Sequence, residues 1–440
     1  MGLFQVVAAL LTLTALFSYI NIRFLKLPTT IGLMLISMAC SLGLVWFGGV
    51  SPRLYEAAFE LLSSIDFNKA LMQGMLGFLL FAAALHVNVA ELRQQRLMIS
   101  VLATGGVLLS TLLVGGLTYG LLNHVVGIEI QLIYCLLFGA LISPTDPVAV
   151  LAILKHAKAP KDLEMKIAGE SLFNDGVAVV AFLGLLQMVT SGSGFDPAYL
   201  GKMFLMEAVG GAVFGLAIGW LATRMLRTID DYIVEVLITL ATAAGGYALA
   251  YALHLSGPIA MVVAGLFIGT AARSGALSDS SRVHVDNFWS LIDEILNAVL
   301  FVLIGLELLI IRFTPQLTMI GVLAFVVVVF ARYIAVGLPF ELMKRHKVFT
   351  PGAVKIMTWG GLRGGVSVAL ALSIPSVLSN GTPVLEREII LAVTYTVVVI
   401  SIVGQGLTIA PLLRRTLARN AAREAAKAGA SSDQTPSAAA

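Results

Sequence analysis

Charge is what this sequence has least of. Of 440 residues only 12% are charged, against about 25% in soluble globular domains, and that scarcity excludes an ordinary water-facing fold. The net charge of +3 is too small for a nucleic-acid surface, so nucleic acid is not an expected partner. Cysteine is nearly absent. Cys40 and Cys135 stand in separate apolar stretches with no second Cys or His at ligand spacing, which excludes a disulfide framework or zinc site and predicts two inert core thiols. The first apolar run, residues 3–22, lacks a basic flank and a cleavage site, so it is expected to stay as a span rather than leave as a targeting peptide.

What the chain has in abundance is apolar length. Hydrophobic residues make up 58% and the mean hydropathy is +0.95, the signature of an all-α polytopic membrane protein. Runs near the length of a span predict about thirteen transmembrane helices, at 3–22, 30–48, 70–89, 97–122, 130–154, 167–188, 203–226, 233–251, 258–272, 289–311, 317–343, 354–377 and 389–412. Between the second and third, residues 54–65 read as an amphipathic, acid-containing segment lying at the interface. The Lys and Arg residues crowd onto alternate loops, among them Arg93, Arg96, Lys161, Lys166, Arg224, Arg227, Lys344 and Arg345. By the positive-inside rule the N-terminus is expected outside and the C-terminus in the cytoplasm. The Ala/Ser-rich end, residues 414–440 with its polar part from 421, is expected to be a disordered cytoplasmic tail.

Against this background one stretch stands out: Gly169-Glu170-Ser171-Leu172-Phe173-Asn174-Asp175-Gly176, a polar cluster inside the sixth span. A charge at membrane depth costs about 3 kcal/mol or more, so it points by default to an ion or proton pathway. On a helix, Glu170, Ser171, Asn174 and Asp175 fall within an arc of about 140°, one oxygen-rich face.

Two breakers flank it in sequence. In Ser143-Pro144-Thr145-Asp146-Pro147 the prolines free the carbonyls of Ala140 and Ser143, so the fifth span should unwind around Asp146. In Gly360-Gly361-Leu362-Arg363-Gly364-Gly365 four glycines surround an arginine, which again predicts extended backbone, with the cation placed to meet exposed carbonyl ends. Unwound backbone is tolerated at this depth only where it lines a cavity or is buried in protein. Each break is the middle member of a three-span group, which predicts two inverted-topology repeats with their site at the interface. Arg332, about 16 Å of helix from the end of its span, is far for a side chain that would snorkel to the basic loop, and the favoured alternative is a counter-charge, for which Glu170 is the natural partner. Asp293, Glu294, Glu307, His86, Glu207 and Glu235 lie nearer span ends and are expected to be structural or interfacial.

Thr145-Asp146-Pro147, then Gly169-Glu170-Ser171 running into Asn174-Asp175, then Arg332 and Gly361-Leu362-Arg363-Gly364, together resemble the sodium/proton exchanger family of monovalent cation/proton antiporters, in its bacterial and archaeal NhaP-like branch. The resemblance covers nearly the whole chain. It implies a homodimer in the inner (plasma) membrane, with a dimerisation unit in residues 1–96 and 232–315, a core ion-translocation unit in 97–190 and 316–413 whose two unwound helices cross, and a linking helix in 191–231. It further implies that Asp175 binds the cation and the proton, with Asp146, Thr145, Ser171 and Glu170 close to the ion, that Arg332 partners Glu170, and that Arg363 is the charge of the second crossing helix. Asn174 matches the amide of electroneutral members where electrogenic ones carry Asp.

Na⁺ prefers carboxylate, hydroxyl and carbonyl oxygens, which Asp175, Asp146, Ser171, Thr145 and freed carbonyls supply. Proton and cation then compete for one carboxylate, and with Glu170 neutralised and Asn174 unable to titrate the expected exchange is one Na⁺ or Li⁺ for one H⁺, by alternating access, without a cofactor or enzymatic step. The alternatives are K⁺/H⁺ exchange on the same fold, a cation channel, and an intramembrane protease using Asp146 and Asp175 as a dyad. The last lacks an active-site pattern around either Asp.

Overall fold

The computed structural model describes residues 3–47, 56, 59–60, 66–156, 159–191, 197–311, 313–345, 349–378 and 381–432. The interfacial segment expected at 54–65 lies almost wholly outside them. Among the described residues the regular structure is helical, with two isolated bridges, Asp146 with Leu362 and Val377 with Pro383.

In chain order the helices are α1 (Leu3–Ile20), α2 (Thr29–Phe47), α3 (Phe67–His86), α4 (Val89–Val126), α5 (Leu132–Ile142), α6 (Val148–His156), α7 (Lys161–Ser191) and α8 (Pro197–Leu226). They continue with α9 (Tyr232–Ala252), α10 (Gly257–Ala276), α11 (Asp279–Leu306), α12 (Pro315–Met343), α13 (Ala353–Trp359), α14 (Gly365–Leu372), α15 (Glu386–Ile400) and α16 (Gly406–Ser432), the last two joined through one wider helical turn. Ten helices among the described residues are long and apolar enough to cross a membrane. α11 and the two interrupted pairs, α5–α6 and α13–α14, stand at the other three expected span positions.

Polar residues set the helix starts. The side chain of Asp231 accepts from the backbone N–H groups of Ile233 and Val234, Ser256 from Ile259 and Thr314 from Leu317, each satisfying donors that the first turn leaves free. Pro315 follows its cap directly, where its missing N–H costs nothing. α16 runs through Arg414 to Ser432, so the tail expected to be disordered is helical over most of its length. Its Ala, Arg and Glu residues are strong helix formers, and propensity prevails there without an apolar face.

Between helices the packing uses small residues, as it must where lipid offers no hydrophobic drive. α8 lies on α10 along Gly211, Gly215 and Gly219, and a Cβ at Gly211 would sit 2.7 Å from the Ser256 carbonyl. α3 packs on α10 and α2 on α11, while α4 packs on α5 and α12 on α15. Cys135 is buried, but Cys40 is exposed on the surface of α2, so one of the two thiols expected in the core is not there. An apolar run gives depth in the membrane, whereas facing is decided by which neighbours a helix acquires.

Candidate functional site

The site is built where the two breaks meet. α5 ends at Ile142 and α6 begins at Val148, and α13 ends at Trp359 and α14 begins at Gly365, leaving two short extended strands. They cross antiparallel: the N–H of Asp146 donates to the carbonyl of Leu362 at 2.8 Å. Ala140's carbonyl is recaptured by the Ser143 N–H at 3.3 Å, and Ser143's carbonyl accepts from Arg363 Nη1 at 2.6 Å, which also reaches Pro144 O at 3.1 Å. The carbonyl of Ser143 is therefore engaged by the guanidinium rather than left for an ion. Arg363 is 2% exposed, and its own N–H donates to Ser401 Oγ, which in turn bonds to Gln405. Ser401 and Gln405 were missed in the sequence because a lone Ser and Gln in an apolar helix carry no pattern.

The glycines around Arg363 are spatial necessities. A Cβ at Gly364 would lie 2.8 Å from Asp146 Oδ2, and one at Gly361 would lie 2.9 Å from Arg332 Nε. Only hydrogen at these positions lets the second break approach both charges.

α7 passes alongside and contributes the oxygen-rich face. Asn174 Nδ2 donates to Thr145 Oγ1 at 2.9 Å, and Thr145 Oγ1 lies 3.1 Å from Ser171 Oγ. Thr145, Ser171 and Asn174 are all buried, and among the described residues Asn174 Oδ1 has no partner. Asp146 caps α6, its Oδ1 accepting the Val148 N–H at 2.9 Å. Asp175 forms no hydrogen bond or ion pair among the described residues. Both acids lie deep in the bundle, and each keeps part of its surface accessible.

One turn back on α7, Glu170 is 1% exposed and its carboxylate is gripped by both Nη atoms of Arg332, the Nη2 to Oε2 arm at 2.8 Å. A bidentate guanidinium uses both carboxylate oxygens. Glu170 thus stands beside the cluster with each of its carboxylate oxygens accepting from Arg332. Lys166, one turn further, is not the solvated loop cation that its sequence position suggests. Its side chain is 2% exposed, paired with Asp162 at 2.6 Å and stacked over the rings of Phe340 and Phe349. The signal available in sequence was the Asp162–Lys166 spacing of four residues.

The more peripheral acids are spread elsewhere. Asp293 accepts from Asn297 at 3.1 Å, and His86 bridges α3 to α11 through Ala82 O and Ser290 Oγ. Glu235 is buried in α9, its carboxylate oxygens unpartnered among the described residues.

The chain matches the family model described as "Sodium/hydrogen exchanger, transmembrane" over residues 11–415. It is 48% identical over 421 residues to the Na⁺/H⁺ antiporter NhaP of Pseudomonas aeruginosa, covering 94% of this chain and 97% of that one. It is 33% identical over 401 residues to the Na⁺/H⁺ antiporter NhaH of Halobacillus aidingensis, covering 89% and 93%. Among solved structures, the sodium proton antiporter MjNhaP1 of Methanocaldococcus jannaschii at pH 8 superposes with a TM-score of 0.73 at 19% identity, over 95% of this chain and 100% of that one, a likeness of fold.

Proposed function

Because the chain belongs to the sodium/hydrogen exchanger family, a family of transporters rather than enzymes, we propose that it exchanges one Na⁺ or Li⁺ for one H⁺ across the cell membrane, in the service of sodium and pH homeostasis. The observation that carries this reading is the charge count at the crossing. Two guanidiniums, Arg332 and Arg363, stand among three carboxyl groups, Glu170, Asp146 and Asp175. Glu170 is cancelled by Arg332, and the fixed charge of Asp146 opposes the positive helix ends, its Oδ1 accepting the Val148 N–H at the start of α6. Asp175 is the remainder. An uncompensated carboxylate is costly at this depth, and either one monovalent cation or one proton removes the cost.

Asp175, Asp146, Thr145 and Ser171 are the cation ligands, and Asn174 orients Thr145 through its amide N–H while offering Oδ1 to the ion. Hard oxygen donors of this kind suit an alkali cation. Since Na⁺ and H⁺ occupy the same carboxylate, neither is carried with the other, and the loaded, neutral site is the form that moves. Arg332 and Arg363 keep their partners throughout, so no further charge changes during the cycle.

For the moving parts, residues 97–190 and 316–413 form the core and residues 1–96 and 232–315 the dimerisation unit, joined by 191–231. The packing of α4 on α5 and α12 on α15, against α3 on α10 and α2 on α11, supports this division. Large exposed apolar side chains along α1 and α8, such as Phe4, Leu11, Leu205 and Trp220, supply surface for lipid and for a second copy. The N-terminus lies outside and the C-terminus in the cytoplasm, on the positive-inside bias.

The test is an imposed pH gradient in sealed vesicles holding the purified protein, with Na⁺, Li⁺ and K⁺ added in turn. Dissipation by Na⁺ and Li⁺, with no sustained current on a supported membrane, is expected. A response to K⁺ alone, or steady charge transfer in each turnover, would overturn the reading.

A further inference from the structure

A groove of about 610 Å³ opens between the C-terminal part of α12 and the start of α13. That is within the range of small-ligand sites, roughly 300–1,000 Å³. Gly337 makes the room: a Cβ there would meet only Val354 across the groove, at 3.8 Å. Along its flank Tyr333 is 54% and Leu338 47% exposed, on a helix apolar enough to cross a membrane, which leaves an apolar side open to an acyl chain. Its polar lining includes Lys344 and Lys355, both exposed, and Arg345 follows Lys344 directly. Glu341, which also lines the groove, pairs with Lys344, so Lys355 is the lining cation without an acidic partner among the described residues.

The floor continues the pattern. Phe340 and Phe349 line the groove, and behind them the Lys166 ammonium lies 5.9 Å and 5.0 Å from their ring centroids. Lys166 is held by Asp162 and sits one helical turn from Glu170, so the base of the groove touches the helix that carries the cation cluster.

We propose that this groove is a binding site for an anionic phospholipid, its phosphate held by Lys344 and Lys355 and its proximal acyl chain lying along Tyr333 and Leu338. Apolar walls open to the bilayer and a basic end together match one amphipathic anion. A free phosphate has no use for the walls, and a zwitterionic lipid gains less from the lysines. The proposal rests on the membrane placement of α12 and not on the ion exchanged, and it is read by binding alone.

Native mass spectrometry of the purified full chain, released from micelles doped with phosphatidylglycerol or phosphatidylethanolamine, tests it. The wild type is expected to retain phosphatidylglycerol roughly tenfold better than phosphatidylethanolamine, and Lys344→Gln/Lys355→Gln to bring the two level. Gly337→Leu, which fills the groove and leaves both lysines in place, is expected to lose the bound lipid as well. Excess inorganic phosphate should leave it bound. Equal retention of the two lipids by the wild type, undiminished phosphatidylglycerol in both variants, or displacement by phosphate overturns the proposal.

Discussion

Arg363 places its Nη1 2.6 Å from the carbonyl oxygen of Ser143, so the cation of one broken helix caps the backbone that the prolines of the other set free. The exchange is mutual, because Asp146 returns an N–H to Leu362, the residue before Arg363. Two interruptions that would each be intolerable in hydrocarbon satisfy one another, and the strands are fixed in one register.

Replacing Arg363 by Met should therefore damage the crossing itself. The Ser143 and Pro144 carbonyls would lose a charged donor, at on the order of 1–3 kcal/mol for each buried group left unsatisfied. A lowered unfolding temperature in detergent together with loss of vesicle exchange is expected. Wild-type values of both would refute the structural role.

Glu170 and Arg332 should behave as a unit. Removing one partner of a buried pair leaves a bare charge and typically costs about 3–5 kcal/mol, whereas replacing both by apolar groups of similar volume is often neutral. Glu170→Met and Arg332→Met are each expected to destabilise strongly, and the double variant to recover much of the loss. Simple additivity in thermal unfolding would show that the two do not depend on one another.

At Gly364 a single methyl is enough. Its Cβ would stand 2.8 Å from Asp146 Oδ2, so in Gly364→Ala either the carboxylate or the strand must shift. Such overpacking costs about 1–3 kcal/mol, which the protein should survive folded while exchange falls by more than about tenfold. Unchanged exchange by Gly364→Ala would mean that the position of Asp146 is not critical.

The proposed competition of Na⁺ and H⁺ for Asp175 has a definite sign in its pH response. If the cation binds only the ionised carboxylate, lowering the pH should raise the apparent KM for Na⁺, by up to about tenfold for each pH unit, with the maximal rate reached at higher Na⁺. Initial rates over a grid of pH and Na⁺ would reveal this. Asp175→Asn should remove both the exchange and the competition, and a variant that still transported would displace Asp175 from its role.

Much of this site is legible in the chain because its signals are violations. Charge, proline and clustered glycine inside apolar runs are costly enough that Asp146, Glu170, Asp175, Arg332 and Arg363 stand out without any coordinates. Residues that obey the local rules left no such mark. Ser401 and Gln405 support Arg363 from an ordinary apolar helix, Lys166 looks like one more loop cation, and Cys40 lies in a run as apolar as that of Cys135. Hydrophobicity is a property of each residue, so it reports depth. Burial and partnership belong to pairs of helices.

The sequence by itself thus determined that this is a membrane protein, where its helices run, where two of them must break and which charges need a purpose. Only the tertiary structure decided how those charges are divided. It gave both oxygens of Glu170 to Arg332, gave the carbonyls of Ser143 and Pro144 to Arg363, and left Asp175 without a partner among the described residues. The reason is that a short chain motif sets which groups are available, but which of them is neutralised depends on distances between segments as far apart as Glu170 and Arg332, and only packing fixes those distances.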